Sequence, residues 1–289
     1  LLAAPLNAFV LQTLAAGPRS LIDLRREVGS PPQTTMRGHM QALSKIGVLE
    51  KRRRNDFPGS LDYELTGPGQ DLMEVADVLR AWLAAAPEGP LDLGSVAAKS
   101  AIKALTEGWS TSMLRALAAR PLSLTELDSL IVRFNYPSLE RRLAAMRLAG
   151  QVQAMPGGGR GTPYAVTAWL RQGVAPIAAA ARWEALYLRG VAAPATNRDV
   201  EATFLLAVPL LRLPHELSGT CRLAVDMGRG KHEHTGLVGV MVQVEAGRIA
   251  SCVSSLEGHA DAWAAGSTTV WLEAIFEHGS SRLETGGDQ

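Results

Sequence analysis

The residues whose types and spacing could do chemistry are mostly cations. Lys51-Arg52-Arg53-Arg54 sets four positive charges side by side, ahead of the turn-forming stretch Asn55-Asp56-Phe57-Pro58-Gly59. Such a run at the tip of a strand suits phosphate contacts that weaken as salt rises; the plainer alternative is a solubilising charge run on an edge strand. Just before it, Met36, Met40 and Leu43 fall on one stripe at helical spacing. Thr34, Gly38, Gln41 and Lys45 fall opposite that stripe, with Thr35 and Arg37 flanking. A later segment repeats the arrangement: Leu139, Leu143 and Met146 form the stripe, and Ser138, Arg141 and Arg142 lie off it, beside Glu140. Arginine on an outward helix face can pair with guanine, and glutamine with adenine. The alternative is an ordinary solvated helix face.

Other chemistry is thin. His232-Glu233-His234 offers two imidazoles at i, i+2, a weak metal pattern, so no metal is expected. Cys221 and Cys252 fall on neighbouring expected strands and read as buried apolar residues, not a redox pair. Asp226 and Glu233 lack a recognisable acid–base partner. No phosphate loop, dinucleotide fingerprint or nucleophile elbow is present, so neither an enzyme nor a resident cofactor is expected.

The elements that must hold these residues are organised by a repeat. Gly17-Pro18-Arg19-Ser20-Leu21-Ile22-Asp23-Leu24 reads like Arg120-Pro121-Leu122-Ser123-Leu124-Thr125-Glu126-Leu127, at an offset of 103 residues. The same offset aligns Leu43 with Met146 and Gly47 with Gly150; Tyr63-Glu64-Leu65-Thr66 then meets Tyr164-Ala165-Val166-Thr167 at offset 101. Each copy reads as helix, helix, helix, hairpin, helix. Helices are expected over 3–15, 20–28 and from Pro31-Pro32, with counterparts at 123–132 and from Pro137. Ser20 and Ser123 suit N-caps, Pro32 and Pro137 first-turn positions, and Gly47 and Gly150 the left-handed helix end. Strands are expected at 48–53, 61–66, 151–155 and 163–167, and Thr66 and Thr167 cap the closing helices that carry Trp82 and Trp183. In the wing of copy two, Pro156-Gly157-Gly158-Gly159-Arg160-Gly161, Arg160 is the one cation.

The chain has 289 residues and is 47% hydrophobic, which excludes wholesale disorder and gives a prior of two or three domains. No apolar run reaches the roughly 18 residues needed to span a bilayer, and the start lacks a signal-peptide pattern. Leu1 is not an initiator methionine, so a truncated or processed chain is expected. The formal net charge of +1 argues against nucleic acid only until it is resolved along the chain. Residues 1–86 carry +1, 87–190 carry +5 and 191–289 carry −5, and the first 54 residues alone carry +6.

Three short helices and a hairpin make a winged helix-turn-helix layout. Trp109–Leu117, Pro121–Leu127 and Leu139–Gly150 resemble the HxlR-type winged-helix regulators, as do Gly17–Leu24, Met36–Leu49 and Tyr63–Thr66 in copy one; the resemblance covers most of residues 3–187. Members of that family usually hold one copy and dimerise, so the resemblance implies DNA binding by a built-in pseudo-dimer. The copies differ: Gly38, Arg37 and His39 stand where copy two has Arg141, Glu140 and Arg142. A perfectly symmetric operator is not expected.

Pro/Gly/Ala-rich linkers at 84–98 and 189–198 lead to a region of changed period. Strands are expected at 219–227, 237–244 and 249–254, the last two joined by a tight hairpin at Glu245-Ala246-Gly247-Arg248. Helices are expected at 257–265 and 268–278. This order is similar to the sterol carrier protein type 2 family, through the strand pair around Gly239–Ser255, the helix Gly258–Ala265 closing at Gly266, and the Gly-Asp ending of Arg282–Asp288. That family's usual final helix has no counterpart before Gln289. The resemblance implies an apolar ligand cavity, with Trp263, Trp271 and Phe276 as its candidate walls; the alternative is ordinary core aromatics.

The expected class is therefore α+β: winged helix-turn-helix domains at 1–86 and 95–188, then a small α/β sterol-carrier-like domain at 199–289 for ligand binding or dimerisation. The expected function is a cytoplasmic transcriptional regulator whose partners are double-stranded DNA and an apolar small-molecule effector, with homodimerisation open and no membrane partner. A sequestering or resistance protein, in which DNA contact is secondary, is the rival reading.

Overall fold

The computed structural model describes residues 1–53, 61–106, 108–131, 135–156, 161–188, 195–228, 236–277 and 282–287, with the side chains of 108–111 and 276–277 excepted. The chain divides into two compact units. One comprises Leu1–Lys103 and Ala175–Ala192, the other Ala104–Val174 and Ala193–Gln289.

The first unit opens with α1 (Pro5–Ala15), whose leading proline has no amide to leave unsatisfied. A two-residue strand β1 (Arg19–Ser20) runs into α2 (Leu21–Glu27), and Ser20 Oγ accepts from the Asp23 amide at 3.2 Å as the expected N-cap. Then come α3 (Gln33–Lys45), β2 (Leu49–Arg53), β3 (Leu61–Leu65) and α4 (Gly67–Ala84). Pro32 stands as the N-cap residue of α3, one position earlier than expected. Gly47 ends α3 with φ of +77°, a conformation that costs glycine little. The sheet order is β1-β3-β2, all antiparallel, with β2 at an edge. Val10, Leu11, Leu14, Leu24, Met36 and Leu43 are fully or almost fully buried and form the core beneath these elements. Next, α5 (Val96–Thr106) leads into the second unit.

There, α6 (Gly108–Ala119), α7 (Leu124–Leu130), α8 (Tyr136–Leu148), β4 (Val152–Ala154) and β5 (Tyr164–Val166) follow one another, then the short α9 (Ala168–Gln172). Ser123 and Glu126 form a capping box at α7, and Asn135 caps α8 through the Ser138 amide at 3.0 Å. An isolated bridge, Leu122 to Tyr164, stands where β1 pairs with β3 in the first unit. Local hydrogen bonds recur as well. Thr66 donates to Gly47 O at 2.5 Å and accepts from the Gly69 amide at 3.1 Å. Thr167 donates to Gly150 O at 2.9 Å and accepts from the Leu170 amide at 3.2 Å. Of α10 (Val174–Tyr187), all but the first residue belongs to the first unit, where Trp183 Nε1 donates to Pro68 O at 2.8 Å and the Tyr187 hydroxyl bonds Asp71.

The second unit continues with α11 (Asn197–Ala207), capped by a Thr196–Asp199 box, and a single 3-10 turn at Val208–Leu210. A mixed sheet follows: β6 (Gly219–Asp226), β7 (Leu237–Glu245), β8 (Arg248–Val253), β9 (Ala262–Ser267), then α12 (Thr268–Glu277) and β10 (Glu284–Gly286). Its order is β10-β9-β6-β7-β8, with β6 and β9 parallel. Ala246 (φ 48°) and Gly247 (φ 73°) make the expected tight turn between β7 and β8. Three expectations need correction. Thr167 caps the short α9 and Trp183 lies on the separate α10, so the single closing helix expected after Thr167 is broken at Gly173. The helix expected at 257–265 is not formed: Gly258 (φ 107°) sits in a loop, and Ala262–Ser267 is strand β9. An Ala-rich run favours helix locally, but pairing with β6 and β10 on both sides satisfies its backbone instead. Cys221 and Cys252 do not lie on neighbouring strands either: both pair with Val242, on opposite sides of β7. Two strand spacings, about 9.5 Å, exceed the Cα separation a disulfide tolerates. Both cysteines are free, and burial pushes the Cys252 thiol up to about 11, against a smaller downward pull from Arg171.

Candidate nucleic-acid interface

α3 inserts its apolar stripe, Met36, Met40 and Leu43, into the first unit's core and turns the rest of its circumference outward. Thr34, Thr35, Arg37 and Gln41 are all exposed, as the helical spacing required. Two side chains set the pose of this helix. Arg25 Nε donates to Pro31 O at 2.8 Å and ties α2 to the turn that enters α3. His39 Nδ1 donates to Asn7 Oδ1 at 2.6 Å and ties α3 to α1. Asn7 in turn donates to Leu1 O at 3.2 Å, so its amide is used on both sides. The second link was not legible in the sequence, because Asn7 and His39 are 32 positions apart with no local signal between them.

The hairpin after α3 presents the cations. On β2 only Leu49 is buried, and Glu50, Lys51, Arg52 and Arg53 are exposed, because β2 is an edge strand with no sheet partner beyond it among the described residues. Lys51 lies 5.8 Å over the Tyr63 ring. Arg52 makes a 3.4 Å ion pair with Glu64 while 71% of its side chain stays exposed. Arg53 pairs in register with Leu61 and has no ion pair among the described residues. Arg54 lies outside the described residues. The surface formed by α3 and β2 thus carries hydrogen-bonding groups and exposed positive charge, the two ingredients of groove reading and phosphate attraction.

In α8 the buried stripe is Leu139, Leu143 and Met146. Arg141 is exposed but folds back along its own helix, with Nε 3.3 Å from Pro137 O and Nη2 3.4 Å from the half-buried Ser138 Oγ. Arg142 is half-buried. Leu148 is 83% exposed, an apolar outward residue with no match on α3. Arg147 lies 5.3 Å over the Tyr164 ring. Arg160 lies outside the described residues.

The three candidate cavity aromatics do structural work where they are described. Trp271 Nε1 donates to Ala224 O at 2.7 Å, and its ring meets Phe204 edge-on at 5.3 Å. The indole of Trp263 covers Gly286, where a Cβ would come within 2.8 Å of the ring. The Phe276 side chain lies outside the described residues, as do His232, Glu233 and His234. Among the described residues no cluster of three or more metal-ligating side chains occurs, and no helix is long and apolar enough to cross a membrane.

Comparison with known proteins places the first segment. No curated protein matches this chain. Among solved structures it is similar to the reduced form of the transcriptional regulator YodB from B. subtilis, at 20% identity over 27% of this chain and 76% of that one, with a TM-score of 0.26. It is also similar to a protein described as a transcriptional regulator, ytfH from Salmonella typhimurium, at 27% identity over 26% of this chain and 67% of that one, with a TM-score of 0.24. Residues 2–88, the segment that carries α3 and the cationic hairpin, match the model of the HxlR-like helix-turn-helix family.

Proposed function

We propose that this chain is a transcriptional regulator that binds double-stranded DNA through α3 and the cationic strand β2. The observation that carries the reading is their juxtaposition, within an HxlR-like segment, of an exposed face bearing Thr34, Thr35, Arg37 and Gln41 and an edge strand bearing Lys51, Arg52 and Arg53. In this reading α3 enters the major groove and the wing holds phosphates.

The modules of the proposal are 1–86, 95–188 and 199–289. Residues 95–188 are read as a second winged helix. Support comes from the recurring serine caps, the recurring threonine hooks and the bridge at Leu122. The pairing of α10 with α4, the closing helices of the two copies, supports a built-in pseudo-dimer. An apolar small-molecule effector binds in or near the last module, or that module pairs with a second copy. An effector acts here by linkage: it shifts DNA affinity only by binding the two conformational states unequally.

The test is selection of binding sites from random duplexes with the full chain, followed by affinity measurement on the selected sequence. A selected consensus bound in a salt-dependent way is expected. No enrichment of any sequence, with no salt-dependent binding to duplex DNA, overturns the reading.

A further inference from the structure

The second unit contains a groove of about 610 Å³ that neither Trp263 nor Trp271 lines. This falls within the range of roughly 300–1,000 Å³ typical of small-molecule sites. Its cationic side is made by Arg115 and Arg120 near the end of α6 and by Arg198 at the start of α11. Among the described residues, no carboxylate lines it. Its apolar wall is made by the exposed Leu130 and Val253 and by Ile131, backed by the buried Leu122 and Leu205.

The three arginines are differently committed. Arg115 is held by an ion pair to Glu201 and donates to Ser254 Oγ at 3.0 Å, which fixes its guanidinium at the groove wall. Arg120 shares a 3.2 Å pair with Glu126 that is largely open to solvent, a kind of pair worth little and easily exchanged. Arg198 is exposed and has no ion pair among the described residues. An apolar wall beside two available guanidinium groups selects a molecule with an apolar body and an anionic head. Guanidinium groups meet a carboxylate through two parallel hydrogen bonds and also stack on aromatic faces.

We propose that this groove is a binding site for a small amphipathic carboxylate, and, resting on the regulator reading above, that its occupant is the effector. The carboxylate sits against Arg120 and Arg198, and the body lies along Leu130, Ile131 and Val253.

The experiment is calorimetric titration of the full chain, without DNA, with naphthalene-2-carboxylate, its neutral amide and 2-naphthylmethylammonium. Saturable binding of the carboxylate is expected, about tenfold or more tighter than the amide, with the ammonium compound excluded. Arg198→Gln and Arg120→Gln each weaken the carboxylate about tenfold and leave the amide unchanged, whereas Arg212→Gln, an exposed arginine outside the groove, changes nothing. No saturable carboxylate binding, equal binding of the amide, or full affinity in both groove variants overturns the site. A second titration uses the DNA-bound protein. Carboxylate affinity that differs between free and DNA-bound protein supports the effector role, and equal affinity overturns that role while the site stands. Carboxylate binding by a chain that binds no DNA would reject the regulator reading alone.

Discussion

At the scale of single residues, the wing cations are not equivalent. Arg52 is partly engaged by Glu64, whereas Arg53 has no ion-pair partner among the described residues. Arg53→Ala is therefore expected to weaken DNA affinity more than Arg52→Ala, measured by anisotropy at fixed salt; a larger effect at Arg52 would place the phosphate contact elsewhere. In the reading where the second winged helix contacts bases, Arg141→Ala is expected to relax sequence preference and to weaken the selected site by about 1–3 kcal/mol. Binding-site selection with Arg141→Ala checks this, and an unchanged consensus removes it from the reading set. Arg171 plays a structural part. Its partly buried guanidinium donates to Leu205 O at 2.6 Å and Ala118 O at 3.2 Å, linking α9 to α11 and α6. Arg171→Met leaves both carbonyls without that donor and should cost about 2–3 kcal/mol in urea unfolding. Glu126 sits below the usual carboxylate range, chiefly because the Ser123 amide donates to it. Its stabilising contribution is complete above pH 4.5 and is lost as pH falls through the lowered value. Glu126→Gln should flatten that acid limb.

At the scale of elements, the same threonine hook occurs at Thr66 and at Thr167. Each joins the turn after a long helix to the first turn of the helix after the hairpin, with one hydroxyl both donating and accepting. Thr66→Val and Thr167→Val keep the shape and should each cost about 1–2 kcal/mol in denaturant unfolding; a neutral change at Thr167 alone would mean that the second hook is decorative. Gly69 completes the first hook, since a Cβ there would lie 2.2 Å from Val48 O. These elements were legible in the sequence because caps, prolines and left-handed glycines are local signals. The helix expected at 257–265 was misread for the same reason: Ala262–Ser267 is strand only because β6 and β10 flank it, and those partners lie far away along the chain. The groove arginines were missed likewise, since Arg115, Arg120 and Arg198 meet across distant segments and no spacing rule unites them.

At the scale of the molecule, the charge pattern has the clearest consequence. A net +1 conceals +6 in the first 54 residues and −5 in residues 191–289. The basic segment holds α3 and β2, so attraction to phosphate is expected to originate there, while the acidic region repels the same polymer. Outward positions on α3 were predictable from spacing alone, but the pose of the helix was not, because it depends on the contact between Asn7 and His39. The most direct measurement is a titration of selected duplex DNA against the full chain and its Lys51→Ala, Arg52→Ala, Arg53→Ala, Arg54→Ala quadruple variant, repeated from about 50 to 200 mM salt. A steep fall of log affinity with log salt is predicted for the parent. For the variant, weaker binding is predicted, with a slope shallower by about one unit for each phosphate that the wing no longer neutralises. An identical slope in the two proteins would contradict a phosphate-holding wing.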